Sequence, residues 1–303
     1  MCDLLLLWEW AHDADFVERV LRLAEQVGVS ALAAGPSDLK RVLETLTEFG
    51  TAPGFVVDRA SDVHPEAARI ARWACSRGSR VVNAPDRVGP AADKSIMHLA
   101  LMSAGVHVPW TIVLPPSERV SEERLAQLAQ VGRPFVVKPA HGGGGEGVIL
   151  EATTRSDIEG AIAGHDGETF LIQERVVPQR LRGRPAYFRV LYCLGDIHPC
   201  FWDPESRRYG MLSQAERETE WGPEIARIMR AIATVSGMDL FSSEVARTPD
   251  GRMVAVDYVN DMCDLRPASR YPDGVPDPTV DAVASRLVMT AKQIAPSPKL
   301  DHQ

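Results

Sequence analysis

The residues best suited to chemistry fall into three groups. The first runs from Phe135 to Val148 (FVVKPAHGGGGEGV) and holds five glycines in six positions: Gly142, Gly143, Gly144, Gly145 and Gly147. Glycines in a loop let backbone N–H groups approach phosphate oxygens with no Cβ in the way. Lys138, just upstream, adds a point charge. The letters also satisfy GxGxxG, but a dinucleotide fingerprint needs a helix to open at the loop, and Val148–Glu151 reads as a strand. No GK[ST] follows, so a Walker loop is excluded. The pattern is a strand–loop–strand flap over a triphosphate. The second group is a hairpin centred on Pro249–Arg252 that sets Glu244 roughly opposite Asp257. Neighbouring carboxylates repel, so a shared divalent cation explains the pair, and Mg²⁺ takes such hard oxygen ligands. The third group is cationic. Lys94 opens a helix, Arg189 alternates with Phe188 and Val190 on a strand, and Arg266 in Asp264-Leu-Arg-Pro267 is suited to holding a carboxylate.

The elements that position these groups change character along the chain. Up to about residue 88, strands at Leu4–Trp8, Val29–Ala34, Phe55–Asp58 and Arg80–Ala84 alternate with amphipathic helices, which predicts a small open α/β domain with a parallel sheet. Beyond it, hairpins dominate. Helices are expected at Asp93–Ala104, Ser121–Val131, Ser156–Ala163, Pro223–Val235 and Thr279–Ile294. Tyr187–Leu194 and Ile197–Trp202 form a hairpin turning at Gly195-Asp196, and the polar stretch Asp203–Thr219 reads as a mobile loop. The fold class is therefore α/β followed by α+β. The expected division is 1–88 as an N-terminal α/β domain, 89–173 as a central lobe with the glycine flap, and 174–303 as a last lobe with the carboxylate hairpin.

Composition narrows the function. The 303 residues carry 33 Lys and Arg against 41 Asp and Glu, a net charge of −8, which disfavours a nucleic-acid surface. No apolar run reaches the ~20 residues of a membrane span. Leu4–Trp8 has no basic leader and is followed by Glu9, Asp13 and Asp15, so no signal peptide is expected. Five cysteines without a CxxC pair argue against a disulfide scaffold or a zinc ribbon, and the expected compartment is the reducing cytoplasm.

From Val82 to Val259 the sequence resembles the ATP-grasp superfamily. Val82-Asn-Ala-Pro85, Asp93-Lys94 and Ala104–Pro109 with Thr111 look like the leading segment of glutathione-synthetase-like and ribosomal-protein glutamate ligases, in the branch that joins carboxylates to amines. The resemblance implies that Lys94 and Lys138 contact ATP phosphates, and that backbone groups at Glu174, Arg175 and Val176, in Gln173-Glu-Arg-Val176, read the adenine. It gives Arg189 the role of stabilising charge on the transferring phosphoryl group, and Arg266 that of a catalytic cation near the acceptor. Mg²⁺ would be held by Glu244, Asp257 and Asn260. Here Asp stands for the usual Glu, and Asn260 comes one residue late, with Asp261 as the alternative. No acidic residue stands at the usual ribose position. The implied chemistry is an acyl phosphate attacked by an amine, releasing ADP and phosphate. The substrates would be small-molecule or peptide carboxylates and amines, with a homodimer as the family expectation. A kinase of the same fold acting on a small hydroxyl compound, and a non-catalytic nucleotide sensor, are the alternatives.

Overall fold

A computed structural model describes residues 2–116, 122–165 and 167–295, so the expected helix start at Ser121 lies outside the described residues. The chain forms two units. No described helix is long and apolar enough to cross a membrane.

The first unit holds β1 (Leu4–Trp8), α1 (Ala14–Val27), β2 (Ala31–Ala34), α2 (Leu39–Phe49), β3 (Phe55–Arg59), α3 (Pro65–Ser76) and β4 (Arg80–Val82). Its strands are parallel in the order β2-β1-β3-β4. Leu4, Leu5, Leu6 and Leu7 are all buried, as expected of a central strand covered on both faces. At the carboxyl end of β3 the guanidinium of Arg59 grips Asp13 through two hydrogen bonds of 2.8 and 2.9 Å, both side chains being buried. The C-terminal segment, read from the sequence as part of the last lobe, packs here instead. Its helix, Asp277–Ile294, lies against α1, where Arg19 pairs with Asp277 and Asp281.

The second unit begins within α4 (Pro85–Ala92) and continues through α5 (Lys94–Ser103), β5 (Thr111–Leu114), α6 (Glu122–Val131), β6 (Phe135–Pro139), β7 (Ile149–Ala152), α7 (Arg155–Ile162) and β8 (Phe170–Glu174). Then come β9 (Arg180–Leu181), β10 (Arg184–Pro185), β11 (Tyr187–Cys193), β12 (Asp196–Asp203), β13 (Arg208–Met211), α8 (Gly222–Ser236), β14 (Leu240–Arg247) and β15 (Met253–Asn260); Asp277–Ile294 is α9. Two antiparallel sheets result, β5-β8-β6-β7 and β13-β12-β11-β14-β15, beside a β9–β10 ribbon. Each has its own core: Ile112, Phe135, Val137, Phe170 and Ile172 under the first, and Phe188, Val190, Ile225, Ile228, Phe241 and Tyr258 under the second.

The stretch expected to be a mobile loop is ordered. Arg208–Met211 pairs with β12, with Trp202 and Tyr209 in contact at 4.6 Å between centroids, and Glu216–Glu220 makes a single π-helical turn. The stretch is tied down by polar contacts, which leave no hydrophobic period to read. Glu216, 2% exposed, accepts from the backbone of Ser213 at 2.8 Å and from Arg184 at 3.0 Å.

Candidate functional site

The flap has the form its residues imply. β6 and β7 are antiparallel and the glycine loop joins them without a helix, which removes the dinucleotide reading. Gly142, Gly144, Gly145 and Gly147 all have positive φ, between 66° and 99°, a conformation side chains rarely adopt. The base of the loop is held to the start of α5. Lys94 donates its backbone N–H to Ala140 and its Nζ to the carbonyl of Gly142 at 2.5 Å, and His141 bridges Asp93 (3.5 Å) and Glu168 (3.1 Å). Asp93 caps the helix by accepting from the N–H groups of Ser95 and Ile96.

Lys138 leaves the end of β6 for the interior. Its ammonium donates to the carbonyl of Val256 at 3.2 Å, lies 3.9 Å from Asp257 Oδ1, and sits 5.5 Å from the centre of the Tyr258 ring. Burial pushes its pKa down, Asp257 pulls it up, and the neighbouring charge of Lys94 lowers it again. Two cations from different elements thus face one cleft, as a polyphosphate requires.

The carboxylates meet as the hairpin predicts: Glu244 pairs with Asp257 across β14 and β15. The pairing also accounts for the displaced asparagine. Ser242 pairs with Asn260, so two steps along β14 match three along β15, and Tyr258 and Val259 both pack toward the core. This β-bulge absorbs the extra residue and returns Asn260 to the alternation of Ser242 and Glu244. That favours Asn260 over Asp261 as the third oxygen donor. Among the described residues no three His, Cys, Asp or Glu side chains form a group that could hold a metal ion, and the oxygens offered along this hairpin are two carboxylates and an amide. Such a set suits Mg²⁺, which commonly takes one or two carboxylates and completes its shell with phosphate and water. Asp257 Oδ1 is buried and accepts no hydrogen bond, an oxygen that a hard cation would satisfy.

Glu244 is oriented from β11. Tyr187 donates its hydroxyl to Oε2 at 2.6 Å, and Arg189 approaches Oε1 at 3.8 Å. Burial raises the Glu244 pKa; Arg189 opposes that and Asp257 adds to it. Burial and the Glu244 charge push the Tyr187 phenol well up, so it stays a donor. Phe188 and Val190 fill the core while Tyr187 and Arg189 turn to the other face, toward Glu244, as strand alternation requires. Arg189 also lies 5.2 Å from the Trp202 ring. Tyr187 was missed in the sequence. Its spacing of two from Arg189 was the available signal, but its partner on another strand was not visible.

Lys94, Lys138, Gly142, Gly143, Gly144, Gly145, Tyr187, Glu244 and Asp257 line one cavity of about 1050 Å³ within the second unit, whereas Arg189 and Asn260 are not among its lining residues. Its other end is walled by Val136, Val148, Leu150 and Val177, beside the segment where Glu174, Arg175 and Val176 leave the sheet. Glu174 is held there, its N–H donating to Trp110 O at 2.7 Å and its carboxylate accepting from Trp110 N at 3.2 Å. Arg175 is paired with Glu151 at 2.6 Å, and the N–H groups of Arg175 and Val176 have no backbone partner among the described residues. Apolar walls beside free backbone donors suit a planar heterocycle. Arg266 is not among the lining residues. It belongs to the first unit, where Asp264 at 2.9 Å and Asp273 at 3.1 Å take up its guanidinium.

No family model and no curated protein matches this sequence. Solved structures do. The ATP-grasp ligase PsnB, complexed with a minimal precursor, Mg and ADP, is 16% identical with a TM-score of 0.64, over 94% of this chain and 98% of that one. The D-alanine–D-alanine ligase from Bacillus anthracis complexed with ATP is 13% identical with a TM-score of 0.66, over 97% of both chains. A RimK domain ATP-grasp protein from Sphaerobacter thermophilus DSM 20745 is 20% identical with a TM-score of 0.61, over 94% of this chain and 98% of that one. With a parallel α/β unit preceding two antiparallel sheets that carry the flap and the carboxylate hairpin, the chain has the ATP-grasp fold.

Proposed function

We propose that this protein is an ATP- and Mg²⁺-dependent ligase that joins a carboxylate to an amine through an acyl phosphate, releasing ADP and phosphate. The observation that carries this reading is the buried Lys138 ammonium, set between a positive-φ glycine flap and the Glu244–Asp257 pair. Similar folds in PsnB and in the D-alanine–D-alanine ligase are described with ADP and Mg, or with ATP. In this reading the base lies against Val136, Val148, Leu150 and Val177 and bonds to backbone near Val176, and the phosphates meet Lys94, Lys138 and the flap N–H groups.

Glu244, Asp257 and Asn260 would hold Mg²⁺, which when bound neutralises the β- and γ-phosphate oxygens. Arg189, alongside Glu244 and 5.2 Å from the Trp202 ring, would meet charge developing on the transferring phosphoryl group. The protein need supply no nucleophile. Positioning two substrates and neutralising charge in a partly closed cleft carry such a reaction. The acceptors would be small molecules or peptides. Arg266, engaged with Asp264 and Asp273, has the weaker claim to a catalytic role.

The test is isotopic. With a substrate carboxylate labelled in heavy oxygen, this route sends one labelled oxygen into the phosphate released, and only when amine and Mg²⁺ are both present. The γ-phosphoryl group found on an organic product, with unlabelled free phosphate, would overturn the ligase reading in favour of a kinase. Nucleotide binding without any turnover would favour a sensor.

A further inference from the structure

At the floor of the cleft, polar side chains from four elements, three of them buried and Thr111 half-buried, form one connected chain. His98 of α5, 2% exposed, brings Nδ1 to 2.7 Å from the Tyr258 hydroxyl on β15. Gln173 of β8 donates through Nε2 to the same hydroxyl at 3.2 Å and to Thr111 Oγ1 of β5 at 2.9 Å. Thr111 in turn donates to the carbonyl of Pro109 at 2.8 Å. One direction gives every hydroxyl proton of the chain an acceptor. Each hydroxyl has a single proton, and Thr111 gives its own to Pro109. Tyr258 accepts from Gln173, and its own proton has an acceptor in this chain only when it goes to His98 Nδ1. The imidazole therefore accepts at Nδ1 and keeps its proton on Nε2. Burial, with the Lys138 charge nearby, holds the His98 pKa down to about 4, which agrees with a neutral ring.

The chain joins the two sheets at telling points. Gln173 precedes Glu174, where the backbone leaves β8 beside the base end of the cleft, and Tyr258 follows Asp257 at the metal end. The β14–β15 ladder is irregular on both sides of Glu244, matching two residues to three and then one to two. Ladder hydrogen bonds therefore define the position of Asp257 poorly, and a side-chain anchor on the next residue makes up for them.

We propose that His98, Tyr258 and Gln173 are positioning residues whose directed hydrogen-bond chain holds the Asp257 strand in register with the Glu174 strand, spacing the metal end of the cleft from the base end. The proposal rests on the nucleotide reading above. It concerns side chains outside the glycine loop, with Tyr258 touching the flap strand only through the Lys138 ammonium over its ring.

Calorimetric titrations of Tyr258→Phe, His98→Leu, their double variant and His98→Asn test it, with adenosine and with ADP plus Mg²⁺ as probes. Tyr258→Phe and His98→Leu each weaken binding of ADP with Mg²⁺ about ten-fold, as expected on loss of buried hydrogen bonding. The double variant is no worse than Tyr258→Phe alone, because that substitution already removes the His98 bond together with the one from Gln173. Adenosine affinity stays within about two-fold, since the base end is untouched. His98→Asn, whose Oδ1 can accept where Nδ1 did, restores most of the loss. Nitrogen-15 NMR of the wild-type protein without nucleotide shows a His98 ring protonated at Nε2 from about pH 5.5 to about pH 8. Parallel losses for both probes, additive effects, no rescue by asparagine, or a proton on Nδ1 would overturn the proposal. Failure of the wild-type protein to bind ADP with Mg²⁺, with the NMR result as expected, would instead overturn the nucleotide reading on which the positioning role depends.

Discussion

Replacing Lys138 by methionine separates a charge that serves the ligand from one that serves the fold. Methionine keeps most of the stem against the Tyr258 ring and removes only the ammonium. At 3.9 Å from Asp257, and with an effective dielectric near 20, the attraction is about 4 kcal/mol. Desolvation works against it, and the lowered pKa of Lys138 says that burial and the Lys94 charge outweigh its acidic neighbours. The nucleotide-free fold therefore gains little from the ammonium. Asp257, with a third of its side chain open, can be hydrated once the lysine is gone. Stability without nucleotide should change by about 1 kcal/mol, or about 2–4 °C in Tm. Contact with a phosphate is different, because a charge-assisted hydrogen bond contributes about 1.5–3 kcal/mol. Calorimetry should show the Kd for ADP with Mg²⁺ rising about 10- to 150-fold. A folded Lys138→Met protein that binds ADP as the wild type does would refute the assignment of Lys138 to the phosphates.

Asp257→Asn and Glu244→Gln should each reduce Mg²⁺-dependent ADP release by about 10²-fold or more, while adenosine binding is retained; full activity of Asp257→Asn at low Mg²⁺ would remove the hairpin from the metal site. His98 yields a pH dependence. Its pKa is about 4 in the fold and about 6.5 when exposed, so between these values the unfolded chain binds a proton that the native state does not. Stability should fall as the pH drops from about 6.5 to about 4, by about 2–3 kcal/mol from this group, and denaturant titrations should show that part of the slope missing in His98→Asn. Asp13→Ala takes the bidentate partner from buried Arg59 and should destabilise the first unit by about 3–5 kcal/mol, read as an early thermal transition with Mg·ADP affinity kept.

The flap, the two lysines, the carboxylate hairpin and Arg189 were all legible in the sequence because each is a local pattern. A run of glycines needs no partner to be recognised. A hairpin with a short turn between Arg247 and Met253 sets its own register closely enough to face Glu244 with Asp257. Arg189 needed only the alternation of β11. The ordered stretch from Asp203 to Thr219 escaped for the opposite reason, since a buried glutamate among arginines looks in sequence like any solvated loop.

The sequence by itself determined most of the element types outside the Asp203–Thr219 stretch, the α/β-to-α+β change near residue 88 and the residue kinds available for phosphate and metal, since period, turn residues and spacing act over a few positions. Tertiary structure alone decided that Asp277–Ile294 closes the first unit through Arg19, and that Arg266 is occupied by Asp264 and Asp273. It also decided that a bulge pairs Asn260 with Ser242, and that Tyr187 holds the Glu244 carboxylate while His98 and Gln173 hold Tyr258. These outcomes depend on groups from strands and helices distant in the chain. Their geometry is set by how the cores pack, which no local pattern encodes.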